Sequence, residues 1–259
     1  MNQNKGISIY HQIATNLKGK ILQGHFEPGK PLPSENALAE AYKVTRVTIR
    51  QALDSLEKEK FIFRLRGRGT FVSDELISLE PSHLTGSLEL EDVIPKGLKT
   101  TAKIINFSFT SVYKKVTDAL GLPDGKKVLR IEKLRFAKDE PFSYAQIYLL
   151  PEIGKRMKSE AVRDKTVMEV LEEDLKIDLA EAKAMQRLGA VVADSYIAPL
   201  LNVWVGDPLL NAERTIYDSK GKPIEHVSLF YRADRYTYTV QLSRNKKDKT
   251  IKGDWKIKT

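Results

Sequence analysis

The chain lacks cysteine entirely and has only two tryptophans, four methionines and four histidines in 259 residues. Without cysteine there is no disulfide, no thiolate nucleophile and no cysteine-ligated zinc or iron–sulfur site. The histidines, His11, His25, His83 and His226, are scattered, and no two sit at metal-ligand spacing. No apolar run approaches the roughly 18 residues of a membrane span, and the opening MNQNKG lacks a secretory signal's apolar stretch. The expectation is a cytoplasmic protein with no membrane contact. A Gly-x-Ser-x-Gly elbow, a Walker loop and a dinucleotide fingerprint are also missing. Carboxylate pairs such as Glu172-Glu173 fall in helix-like sequence and read as a solvated face. No cofactor is expected.

What is present is a globular composition, 41% hydrophobic and 30% charged, over a length that suits one or two domains. The net charge of +9 is unevenly spread. Residues 1–73 carry +6, residues 244–259 carry +5, and the stretch between them is slightly acidic at −2. A basic head on an acidic body predicts a polyanion partner at one end only. The tail, poor in apolar residues, reads as largely disordered, either a solubilising end or an auxiliary phosphate contact.

In the head, Ile9, Ile13, Leu17 and Ile21 recur every four residues, with Ala14 and Leu22 beside them, as one stripe of an amphipathic helix. Gly24 is placed to end it, and EPGKPLP is turn chemistry. Ser34 reads as the N-cap of a second helix, with Glu35 in its first turn and Leu38, Ala39 and Tyr42 for packing. After a break at Lys43-Val44, Thr45 caps a third helix whose core face is Ile49, Ala52, Leu53 and Leu56. Arg46 and Arg50, one turn apart, share a different face. Two strands, 61–63 and 70–72, then flank the turn Arg66-Gly67-Arg68-Gly69. Arg64, Arg66 and Arg68 alternate along this hairpin, as a wing lying beside a phosphate backbone requires.

That order, from Pro31 to Ser73, resembles the winged helix-turn-helix of the GntR superfamily. The resemblance implies a helix that reads base edges with Thr45, Arg46, Thr48 and Arg50, and a wing that enters the minor groove with Arg68 and Gly69. Asn36 stands where some members carry an arginine; its amide retains hydrogen bonding to a phosphate or an adenine edge without the charge.

The segment 74–81 reads as a linker, and 82–243 as an α+β domain of alternating strands and short helices. Strands are expected over 101–113, 128–137, 142–150, 182–188, 209–218, 224–232 and 236–242, with helices over 116–122, 162–175 and 193–200. The hairpins around Pro141 and Pro223 look like an internal repeat. Strand alternation puts Leu129, Ile131, Lys133 and Arg135 on one face. From that pattern alone, a strand end emerging into solvent is favoured over a pocket wall that leads to an anion.

The segments HLTGSLELEDVIPKG, VLRIEKLRFAKDEPFSYAQIYLLPE and GDPLLNAERTIYDSKGKPIEHVSLFYRADRYTYTV resemble the UTRA effector domain of HutC-type GntR regulators. The resemblance implies a pocket for a small anionic metabolite using Ser87, Lys133, Arg135, Thr166 and Tyr231. Two departures matter. The usual Arg-x-Arg pair is Lys133-Leu134-Arg135, which trades a bidentate fork for a point charge. Ala145 replaces the carboxylate of amino-sugar-phosphate sensors, which argues against an N-acetylated ligand read in the usual way. The expected function is a homodimeric repressor that binds a near-palindromic operator in double-stranded DNA and is released by its effector. Since the UTRA fold is similar to that of chorismate lyase, an enzyme fused to a DNA-binding head is the alternative.

Overall fold

The computed structural model describes residues 8–74, 82–83, 100–137, 139–236, 238–239, 242–244 and 255–257. The chain divides into two compact units, Met1–Ser78 and Leu79–Thr259.

The first unit holds helices α1 (Ile9–Leu22), α2 (Glu35–Tyr42) and α3 (Arg46–Lys58), then the hairpin strands β1 (Ile62–Leu65) and β2 (Gly69–Val72). Side-chain oxygens start the second and third helices: Ser34 Oγ accepts from the Ala37 amide at 3.2 Å and Thr45 Oγ1 from the Thr48 amide at 3.3 Å. Between them Lys43 adopts the left-handed conformation that ends α2. Ile13, Leu17 and Ile21 bury against Ile49, Leu53 and Leu56, while Ile9 and Leu22, at the ends of the same stripe, stay exposed. Each fully buried side chain of this kind contributes about 1.5–3 kcal/mol. The proline-rich segment does more than turn: the Leu32 amide donates to Thr70 O at 2.8 Å and the Val72 amide to Lys30 O at 3.0 Å, which lays it beside β2.

The second unit runs β3 (Ser82–His83), β4 (Thr100–Ser111), α4 (Lys114–Ala119), β5 (Lys127–Ala137), β6 (Glu140–Leu149), α5 (Pro151–Gly154), α6 (Ser159–Asp164) and α7 (Val167–Glu169). A π-turn (Val170–Asp174) follows, then β7 (Lys183–Val192), α8 (Ile197–Leu201), β8 (Pro208–Tyr217), β9 (Pro223–Arg232), β10 (Tyr238–Thr239), β11 (Leu242–Arg244) and β12 (Trp255–Ile257). Six strands form one antiparallel sheet in the order β4-β5-β6-β9-β8-β7.

That order is a palindrome of one repeated unit, strand–helix–strand–strand. The repeat expected from the two hairpins therefore extends over both halves of the sheet, with counterparts 81 residues apart before the hairpin turns and 82 after them. At the seam Gln146 pairs with its own counterpart Ser228, so a pseudo-two-fold axis passes between β6 and β9. The halves also exchange helices: α8 packs on β6, and α4 packs on β9.

Three expectations are corrected. The single helix over 162–175 is two short helices and a π-turn, because Thr166 starts a new capping box with Glu169 and breaks the run. The strand expected over 182–188 continues to Val192. The tail is not wholly without structure: its Trp-Lys-Ile segment, the one apolar-alternating stretch, pairs antiparallel with Leu242–Arg244.

Candidate functional site

Cations collect at two places, one in each unit, and their environments differ. In the first unit Thr45, Arg46 and Arg50 are exposed and Thr48 is half-buried on the first turns of α3. Arg50 donates from Nη2 to Glu35 Oε2 at 2.9 Å and from Nε to Glu35 Oε1 at 3.3 Å, and Arg46 reaches the same carboxylate at 3.6 Å. The Arg50 hydrogen bond is the main cause that holds the Glu35 carboxyl below its usual range. Asn36 is exposed on the first turn of α2, one residue from this carboxylate. Thr45 and Thr48 share a hydroxyl hydrogen bond of 2.9 Å that continues the cap outward.

The wing is tighter than the sequence suggests. The Arg68 amide donates to Leu65 O at 2.9 Å, leaving Arg66-Gly67-Arg68 as the whole tip, with Gly67 at φ 74° and Gly69 at φ 111°. Both values lie where only glycine sits without strain. Arg66 and Arg68 are exposed at that tip. Arg64 is not part of a phosphate-facing row. Its Nη1 lies 2.6 Å from Asp54 and 2.7 Å from Glu57 on α3, so it braces the wing against that helix. The arrangement presents two arginines and two hydroxyls on a helix start, and two further arginines on a glycine turn. Such a surface fits a groove edge and its phosphates.

In the second unit the cations are buried. Lys133 is 3% exposed and Arg135 8%, so β5 does not emerge into solvent at this end as its alternation alone suggested. Ladder register places Arg135 opposite Ser143, and Ser143 opposite Tyr231, in one row across three strands. The next row sets Lys133 beside Ala145 and Leu229. Lys133 Nζ donates to Lys165 O at 2.9 Å, which brings it to the start of α7 and to Thr166. Tyr231 is buried and stacks on Tyr236 with ring centroids 4.1 Å apart.

Of the five residues expected at this pocket, four are thus gathered on one sheet face and the helix start above it; Ser87 lies outside the described residues. Thr166 arrives already occupied. Its Oγ1 accepts from the Glu169 amide and lies 2.8 Å from Glu169 Oε2, and its own amide donates to that oxygen at 2.6 Å. The Thr166 amide is the first cause that keeps the Glu169 carboxyl low, and Lys133 and Lys165 lower it further. Glu169 therefore takes up the Thr166 amide at the start of α7. Ser143 and Glu169 were not singled out in the sequence. The hairpin register would have found Ser143 opposite Arg135, and the Thr-x-x-Glu spacing would have found Glu169. Among the described residues no three His, Asp or Glu side chains group as a metal site.

Residues 9–72 match the family profile described as bacterial regulatory proteins, gntR family, and residues 96–237 match the UTRA domain. The chain is 31% identical over 244 residues to the HTH-type transcriptional repressor NagR of Bacillus subtilis, covering 94% of this chain and 98% of that one. It is 25% identical to the probable fructoselysine utilization operon transcriptional repressor of Escherichia coli, over 92% of this chain and 96% of that one. Among solved structures, the possible transcriptional regulator YydK of Bacillus subtilis is similar with a TM-score of 0.53 at 22% identity. That match covers 92% of this chain and all of the other, and supports the fold alone.

Proposed function

Because the chain belongs to the gntR family of bacterial regulatory proteins and carries a UTRA domain, we propose that it is a repressor released from a near-palindromic operator by a small anionic metabolite. Family membership makes it a transcription regulator; a catalytic body fused to a DNA-binding head is set aside. In this reading Arg46, Arg50, Thr45 and Thr48 face the major groove, Arg68 and Gly69 the minor groove, and Asn36 a phosphate. Two copies set their recognition helices about 34–36 Å apart in successive major grooves. The second copy joins through the effector unit. β7 supports this, being a ten-residue edge strand that leaves Leu188, Val191 and Val192 exposed, whereas α6 packs against β4 at the other edge.

The observation that carries the effector reading is the pair of buried cations, Lys133 and Arg135, beside Ser143 and Tyr231. Burying two cations is costly unless an anion or fixed dipoles compensate them. Lys133 donates to the Lys165 carbonyl and lies within the field of Glu169, and a ligand anion adds to that compensation. Ala145 next to Lys133 offers no acceptor for an amide N–H, which favours a phosphorylated sugar or a carboxylate over an N-acetylated one. A thermal-shift screen of anionic metabolites, repeated with operator DNA, tests the reading. A compound that raises the melting temperature of the free protein and lowers operator affinity supports it. Anions that bind only through Arg46 and Arg50 in the first unit, with no binding in the second, overturn it.

A further inference from the structure

The repeat makes each half of the sheet a control for the other. In the first half Leu134 and Tyr144 lie under α8, with Leu200 packed against them, and fill the space between helix and strands. Their counterparts under α4 are Thr215, His226 and Ala119. The frame is otherwise kept. Tyr144 stacks on Phe230 at 6.0 Å and 24°, and His226 stacks on Tyr148 at 6.3 Å and 25°, the same pair one repeat later. Tyr196 donates to Glu132 in one half, and its counterpart Lys115 donates to Glu213 in the other.

All three filling side chains are smaller in the second half, and what they leave is a cavity of about 330 Å³. Its size is within the range of small-molecule sites. Its lining is mixed: Lys115, Asp118, Arg187, Thr215 and His226 face it beside Ala119, Met185 and Tyr217. Thr215 is 8% exposed and His226 5%, and they bond to each other, Oγ1 to Nδ1, at 2.9 Å. His226 Nε2 has no partner among the described residues. Lys115 is neutralised by Glu213 and Asp118 by Lys114, whereas Arg187 forms no ion pair among the described residues. Thr215 and His226 share a ladder row with Arg130 and Tyr148, three residues out of phase with Lys133 on β5, so the cavity opens on the opposite sheet face from Lys133 and Arg135.

We propose that this cavity is a second ligand site, for a small hydroxylated monocarboxylate, separate from the effector site. The carboxylate takes the free guanidinium of Arg187 in a two-pronged contact. Its hydroxyls meet Thr215, the Nε2 of His226 and Asp118. One negative charge pairs with Arg187, since Lys115 is already matched by Glu213 and Asp118 by Lys114.

The four histidines make the test direct. Ring spectra of the full chain are titrated with D-glycerate and D-gluconate, with propionate as the control that lacks hydroxyls, and His226→Gln assigns the resonance. At least one hydroxy acid is expected to shift the His226 signal saturably, about tenfold or more weakly in Arg187→Ala and undiminished in Arg135→Ala. The double variant Thr215→Leu with His226→Tyr copies the filled half, and is expected to abolish binding by calorimetry while operator binding persists. No saturable shift up to about 50 mM overturns the proposal. So does binding that survives Arg187→Ala, or binding lost in Arg135→Ala, which would move it to the other face.

Discussion

Arg50 grips Glu35 through both carboxylate oxygens, at 2.9 and 3.3 Å, so the residue expected to read DNA is held by the helix before it. Exposed ion pairs of this kind contribute little stability and exchange readily for a phosphate or a base edge. If Arg50 reads DNA as proposed, Glu35 is its internal competitor. Glu35→Gln is expected to raise affinity for a scrambled duplex more than for operator, narrowing their ratio about three- to tenfold at moderate salt. Fluorescence anisotropy on both duplexes reads this, and an unchanged ratio would show that Glu35 does not compete.

Arg50→Ala is expected to weaken operator binding about ten- to a hundredfold, with effector affinity intact. Arg64→Ala acts differently, because Arg64 ties the wing to Asp54 and Glu57: the loss should appear first in stability of the first unit and only secondarily in DNA binding. Comparing melting curves with gel-shift titrations separates the two.

Glu169 occupies the start of α7 where the effector's anion is expected. Glu169→Gln removes the competing charge and is expected to tighten effector binding about three- to tenfold, whereas Arg135→Ala abolishes effector release without touching operator affinity. A mutant Arg135→Ala repressor that ligand still releases would place the pocket elsewhere.

Gly154 sits against β5 with no room for a methyl group: an added Cβ would come within 2.5 Å of Leu129 Cβ and 3.1 Å of Phe109 Cζ. Gly154→Ala should cost about 1–3 kcal/mol in the second unit, read as a lower melting temperature with the first unit unaffected.

Burial pushes the His226 imidazole below its ordinary value of 6.5; nearby Lys115 acts in the same sense and Glu213 opposes it. The unfolded chain therefore takes up a proton between 6.5 and that lower value while the folded one does not. Stability from this residue is full above 6.5 and declines as pH falls through the window. His226→Gln, which keeps a hydrogen bond to Thr215, should flatten the pH dependence of the second unit's melting temperature there. An identical slope in the variant would assign the pH dependence to other groups.

Local signals carried the head almost intact. Ser34 and Thr45 cap because a short polar side chain next to an apolar period has few other uses, and Gly67 and Gly69 mark the only positions where the hairpin needs φ above zero. Arg64 was misread because strand alternation says which face a residue is on, not that Asp54 and Glu57 wait on it. The body was less legible. Whether Lys133 and Arg135 are buried depends on what lies across β6 and over the sheet, and Tyr231 joins Arg135 only through a seam between segments one repeat apart. The emptiness under α4 leaves no local trace either; it shows only when His226 and Thr215 are set beside Tyr144 and Leu134.

The crossed helices bear on how the second unit assembles. Since α4 lies on β9 and α8 on β6, neither repeat can bury its own apolar face before the other is made. A chain emerging from the ribosome cannot cover β6 until α8 arrives, nor seat α4 until Pro223 and the residues after it arrive. Contacts that distant in sequence make folding slow and late, so this unit should collapse as one cooperative step near the end of synthesis. A cut in the turn between the halves should yield two unfolded pieces rather than two small domains.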